Sequence, residues 1–456
     1  VAGAPADAAA GEWRAPFGDE AGRPSAAVDP AGVVGRPAAG GAAGVGAAGA
    51  SGPDGAAAVD PAAVEAALAE LVRAGSASPA EVRQARAWLS RTVEPGSLAM
   101  HRLLAACGPV AAMRLIRSGR APAQVSRLAL ARQGEDRSLA DLAAAERLGV
   151  RLVTPEDDEW PDEALHAMEL ATSRGAPELA PPQALWVRGA LRLDEAAARA
   201  VAIVGSRAAS SYGSWMAGSI AHELAERGWT IVSGGAYGID GAAHRGALAA
   251  GGATIVLAAG GLQRPYPGGH TALFDRVAET GLLVSEWPPD CPPQRHRFIV
   301  RNRLIAALAA GTVVVEAARR SGARSTARRA QELGRAVMAV PGTAMSATSV
   351  GTHEMIRDEG ACLVTSGAQV LELVGALGAD LAPRPEPRSA ARDGLGALAQ
   401  RVLDGMPAAA AVQPDRVAVD SGVPVGDVLR CLPALELAGF VRADFDGWRL
   451  TPAGRR

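Results

Sequence analysis

Ala202-Ile-Val-Gly-Ser-Arg207 and Thr230-Ile-Val-Ser-Gly-Gly-Ala-Tyr-Gly-Ile-Asp240 each carry a β-branched apolar run directly into a glycine-rich turn. Small residues at the carboxyl end of a strand let backbone N–H groups close around an anion, and a helix that begins there directs its positive end to the same point. The pair reads as a phosphate cradle. In the first turn Ser206 and local N–H groups are the donors, and Arg207 offers a forked guanidinium contact. In the second, Ser233, Gly234, Gly235, Ala236 and Gly238 bring backbone and a hydroxyl close, Tyr237 either stacks on a base or fills the turn, and Asp240 caps the next helix. The order GxGxxG is absent from both turns, which disfavours dinucleotide binding.

Outward from these turns, short β-branched runs alternate with amphipathic segments. The runs are 201–204, 230–232, 254–257, 282–284, 312–315, 336–340 and 362–364. Seven strands separated by helices imply a parallel sheet covered on both faces. Ligands of such sheets sit beyond the carboxyl ends of the strands, where strand order reverses. Residues 150–378 are therefore expected to form a parallel α/β domain. Apolar residues at helical spacing predict a small helical domain over 61–149, as in Val64-Ala67-Leu68-Leu71 and Leu98-Leu103-Leu104, with breaks at Gly108, Gly119 and Gly134. Residues 1–60, rich in Ala, Gly, Pro and Asp, read as a disordered tail. Prolines make 379–393 an extended linker. Beyond it, 394–456 hold three helical patterns and a hairpin turning at Asp446-Gly447, which suggests a winged helix.

Composition narrows the chemistry. The 456 residues are 48% hydrophobic with a net charge of −2, and all 46 basic residues are arginine. Without lysine there is no Schiff base and no Walker A loop. Cys107, Cys291, Cys362 and Cys431 are spaced for neither a CxxC metal site nor a disulfide framework, which fits a reducing cytoplasm. No run of about 18 apolar residues occurs, so neither membrane insertion nor export is expected.

Ten arginines and two acids, Glu316 and Glu332, lie between Arg295 and Arg335. This cluster, which begins Arg295-His-Arg-Phe-Ile-Val-Arg301-Asn-Arg303, contains Phe298 and reads as a basic stripe suited to a polyanion. Catalytic constellations are scarce. Ser206 and Ser233 have no nearby histidine base and no GxSxG occurs. Asp240 and His244 form half of a metal site without a third ligand, so neither metal nor cofactor is expected. Glu286 and Glu316 follow strands at the ligand edge, either as acid or base or as solvated loop carboxylates.

Four segments together carry a resemblance: Gly205-Ser-Arg207; Ser233 through His244; Tyr266-Pro-Gly268; and Phe298 through Ala306, followed by Ser321-Gly322 and Val340-Pro-Gly342. From about Leu152 to its end the chain resembles the DNA-processing protein A family, also called Smf. The resemblance implies that residues 150–378 form an extended Rossmann-like domain, in a non-enzymatic, homodimeric protein of natural transformation. Such a protein binds and protects incoming single-stranded DNA and delivers a RecA-type recombinase onto it. It further implies that Ser206, Arg207, Ser233–Gly238, Arg301, Asn302 and Arg303 surround the DNA phosphates. Many relatives place a lysine where this chain has Tyr237. The alternative on a similar sheet is a nucleotide phosphoribohydrolase of the lonely-guy type, although the Pro-Gly-Gly-x-Gly-Thr-x-x-Glu signature of that family is missing. In the C-terminal unit Asp427, Arg430 and Glu436 leave the third helix nearly neutral, so a protein-contact or auxiliary role is favoured there over groove insertion.

Overall fold

A computed structural model describes residues 77–376, 380–382 and 391–455. The tail expected over 1–60, the apolar pattern at 64–71 and most of the 379–393 linker lie outside these residues. All seven expected strands are present: β3 (Ala200–Val204), β4 (Thr230–Ser233), β5 (Thr254–Leu257), β6 (Leu282–Ser285), β7 (Gly311–Val314), β8 (Ala336–Ala339) and β9 (Cys362–Leu363). They pair in parallel in the order β6-β5-β4-β3-β7-β8-β9. Periodicity did not disclose two further strands. β2 (Leu185–Gly189) pairs antiparallel with β6, and β1 (Val150–Val153) pairs antiparallel with β2, so the sheet is mostly rather than wholly parallel.

Alternation along β3 explains its unbroken apolar run. Val201 and Ile203 enter the core on one face, Ala202 and Val204 the core on the other, and all are buried. Each fully buried Val or Ile contributes about 1.5–3 kcal/mol. Helices α7 (Ser211–Glu226) and α8 (Ile239–Ala249) cover the first face through Met216, Ile220, Leu224, Ala243 and Ala247. On the second face lie α10 (Arg295–Ala307) and α11 (Gly322–Glu332), through Leu304, Ile305, Ala323 and Ala327. Between these, α9 (Thr271–Thr280) follows β5, and α5 (Asp162–Ser173) and α6 (Leu193–Ala198) flank β2.

Four helices precede the sheet: α1 (Pro79–Thr92), α2 (Leu98–Arg117), α3 (Ala123–Ala129) and α4 (Ser138–Arg147). Ser78 and Glu81 form a capping box at the start of α1. Gly108, expected as a break, is a kink within α2 at φ 72°. Ala87 of α1 and Ala145 of α4 share a core with Val150, Leu152, Trp186 and Phe274, so these helices pack directly on the β1–β2 edge.

Helix α12 (Val350–Asp358) lies between β8 and β9 in the chain, and α13 (Gly367–Val374) follows β9. The C-terminal unit consists of α14 (Ala397–Asp404), α15 (Pro414–Ser421), α16 (Val425–Leu437) and the hairpin β10 (Val441–Asp444) and β11 (Gly447–Leu450), a winged helix with its own core of Val402, Val417, Val428, Leu432 and Leu450. Asp444 pairs with Gly447, so the turn residues are Phe445-Asp446, one position earlier than expected. Arg430 pairs with Asp427, and Glu436 accepts from the Ala443 N–H at 2.8 Å, so that helix presents little free positive charge.

Candidate nucleic-acid interface

Strand order reverses at β3, which lies between β4 and β7. The first turn leaves its carboxyl end there and interlocks with the second. Ser206 N–H donates to the Glu316 carbonyl at 2.8 Å, and Ile239 N–H donates to the Ser206 carbonyl at 3.1 Å. Gly238 holds φ at 76°, and a Cβ on it would stand 2.3 Å from the Ser206 oxygen, so only glycine lets the two turns meet. The amides of Tyr237 and Gly238 have no internal acceptor among the described residues. They lie beside an exposed Arg207, whose guanidinium carbon sits 5.0 Å over the Phe298 ring and which forms no ion pair with any described carboxylate. Ser206, half-buried, donates its hydroxyl to the Ala208 carbonyl at 3.1 Å.

The ring beneath Arg207 has an aromatic neighbour, and a second aromatic pair lies on the second turn. Tyr266 meets Phe298 edge-to-face at 5.7 Å, and Tyr237 meets His270 at 4.8 Å. Tyr237 is 49% and Tyr266 51% exposed, enough to offer ring faces to solvent. Sequence reasoning assigned Tyr266 no role. Its Tyr-Pro-Gly segment was visible, but only the fold brings it to Phe298.

Other expected contacts turn inward. Ser233 is fully buried and donates to the Ile203 carbonyl at 2.6 Å, tying β4 to β3 and removing its hydroxyl from the surface. Gly234 has its carbonyl 2.9 Å from Arg301 Nη1, and a Cβ there would lie 2.5 Å from Nη2. The Gly235 carbonyl faces His270 Nδ1 at 3.0 Å, and Ala236 N–H reaches Asp240 Oδ2 at 3.3 Å. Arg301, 5% exposed, also donates to the Leu257 carbonyl. Burial lowers its guanidinium to about 10, Asp240 opposes that shift and Arg207 adds to it, which places Arg207 within electrostatic reach of Arg301. Burial raises the Asp240 carboxyl while Arg301 holds it down, and its oxygen serves the loop before the helix rather than the helix start.

Arg303 is the clearest correction. It is fully buried, with Nη1 and Nη2 at 2.5 and 2.7 Å from Glu286, and Asn302 is only 9% exposed. Neither presents a side chain to a phosphate at the rim. The same pair removes Glu286 from the solvated or acid–base roles expected of it. Glu316, 1% exposed, accepts from Ser210 N–H at 2.9 Å, Ser210 hydroxyl at 2.5 Å and Thr348 hydroxyl at 3.0 Å, so it too is a structural carboxylate. His244 gives Nδ1 to the Thr254 hydroxyl at 2.7 Å, and burial lowers it to about 3; no group of three metal-binding side chains occurs among the described residues.

The basic stripe largely dissolves. Arg297 pairs with Glu94, Arg319 and Arg324 with Glu354, and Arg328 with Glu332, while Arg329 and Arg335 donate to backbone carbonyls. Of the ten arginines, Arg295 and Arg320 alone have no partner among the described residues.

The family described as DNA recombination-mediator protein A matches residues 151–375, and the DprA winged helix domain matches 385–447. The chain is 45% identical over 372 residues to the putative DNA processing protein DprA of Mycobacterium tuberculosis, covering 81% of this chain and 95% of that one. To protein Smf of Escherichia coli it is 40% identical over 270 residues, 58% of this chain and 70% of the relative. The solved structure of DNA processing protein A from Streptococcus pneumoniae superposes with a TM-score of 0.53 at 31% identity, over 65% of this chain and 98% of that chain. With the fold, both glycine turns and the winged helix accounted for, the chain belongs to the DNA-processing protein A (DprA/Smf) family.

Proposed function

We propose that the protein binds single-stranded DNA along the rim of its sheet, protects it and, as a homodimer in the cytoplasm, passes it to a RecA-type recombinase. The observation that carries this reading is Arg207: exposed, free of carboxylates, at the strand-order reversal, beside the open amides of the second turn and with its guanidinium over the Phe298 ring, which Tyr266 meets edge-to-face. A guanidinium and amides grip phosphate without reading sequence, and ring faces accept any unpaired base. A duplex hides those base faces, so the rim suits a single strand. The recombination-mediator description of the family supports the hand-over to a recombinase. The winged helix serves a protein contact or an auxiliary role, in keeping with the Asp427–Arg430 pair on α16.

The reading involves no catalytic step. Glu286 and Glu316, which a hydrolase would need free at this edge, have their oxygens committed to internal donors. In fluorescence anisotropy with a labelled oligothymidine, Arg207→Ala is expected to lose one charge-assisted contact, about 1.5–3 kcal/mol, equally for oligonucleotides of different sequence. The salt slope should fall by about 0.7. Unchanged affinity at two salt concentrations would refute the assignment.

A further inference from the structure

Glu94, in the loop between α1 and α2, gathers an unusual number of donors. Arg297 Nη2 and Nε lie 2.6 and 3.2 Å from its oxygens and Trp287 Nε1 lies 3.0 Å away, while Arg132 and His296 approach to 2.8 and 3.7 Å. The Arg297 side chain is 4% exposed, so its charge has little recourse to water. Burial works to raise the Glu94 carboxyl, but the hydrogen bonds from Arg297 and Trp287 and the charges of Arg297 and Arg132 prevail and hold it at about 2. The neighbouring Gly96 adopts φ 83°, and a Cβ there would lie 3.4 Å from Val300 and 3.7 Å from Arg303 Nε. The loop thus seats against the 297/300/303 side of α10. Other side chains of the same helix, Phe298 and Arg301, meet Arg207 and the second glycine turn.

We infer that Glu94 is a positioning residue for DNA binding: through Arg297 it fixes the seat of α10, and so places Phe298 beneath Arg207. This rests on the rim reading above. It assigns the α1–α2 segment a part in an interface that it does not touch. The sign of the effect separates positioning from simple charge. Removing a carboxylate makes the protein less negative, and field effects alone would tighten binding of a polyanion. A misplaced α10 weakens it.

The test measures oligothymidine affinity of the full chain for Glu94→Gln, Glu94→Asp, Arg297→Gln and the Glu94→Gln/Arg297→Gln double variant, with Arg207→Ala alongside. Glu94→Gln is expected to weaken binding by about threefold to thirtyfold, Glu94→Asp by less, and the double variant by less than the product of the two singles. Unchanged or tighter binding by Glu94→Gln while Arg207→Ala binds weakly overturns the inference and leaves the rim reading intact. Unaltered affinity for Arg207→Ala overturns both. If Glu94→Gln does not fold, Glu94→Asp decides: it keeps the charge, so any loss of affinity reports position, and affinity equal to the original protein overturns the inference.

Discussion

Two sets of arginines expected at the same rim have opposite fates. Arg207, on the first turn, is exposed and rests on a ring, free to exchange solvent for a phosphate. Arg301 and Arg303, one helix away, are buried against carbonyls and a carboxylate. A guanidinium with five donors satisfies buried acceptors as readily as it binds phosphate, so residue type alone does not tell a scaffold from a contact. What separates them is whether the fold has already filled their donor positions.

The largest effect that sharpens this contrast is on stability. Arg303→Met leaves Glu286 buried and unpaired and should cost about 3–5 kcal/mol in urea unfolding, whereas Arg207→Ala should stay within about 0.5 kcal/mol. An equal cost for both would break the distinction. Acid is the next probe. Glu94 falls from 4.5 when unpaired to about 2 in the fold. A lowered carboxyl stabilises the fold fully above its unpaired value, and that contribution is lost as pH falls from about 4.5 towards 2, amounting to at most about 3 kcal/mol. Glu94→Gln should flatten the stability profile across that window, and a profile identical to that of the original protein would count against the ion cluster. The smallest effect concerns Tyr237. Tyr237→Lys should exchange stacking for a phosphate contact and steepen the salt dependence of oligonucleotide binding by about 0.7 in slope, checked by anisotropy titrations at several salt concentrations. No change in slope would place residue 237 off the backbone track.

Legibility in the sequence followed the range of the interactions. Runs such as Ala200–Val204 are apolar at every position because both faces are covered, and that signal is local. β1 and β2 were missed because their pairing is not local: β2 joins β6 from about a hundred positions away, and β1 then adds to β2 as the edge strand. The switch-point turns were legible because glycines at 205, 234 and 238 cluster at strand ends, although the groups that crowd them, Ile239, Arg301 and Ser206, arrive from 32 to 67 positions away. Glu316 was not, since its three donors come from Ser210 and Thr348 on separate segments.

Order of strands and helices, the glycine turns, the winged helix and the membership of a DNA-processing family could all be read along the chain, because each leaves a pattern among neighbours in sequence. Which charges remain free could not. Pairing of Arg297 with Glu94, of Arg303 with Glu286 and of Arg207 with an aromatic face spans from 17 to 203 positions, and only the packed sheet brings those groups within hydrogen-bonding or stacking distance. Burial then decides their role, since a charge removed from water must be neutralised inside, and one left at the rim is available to a ligand.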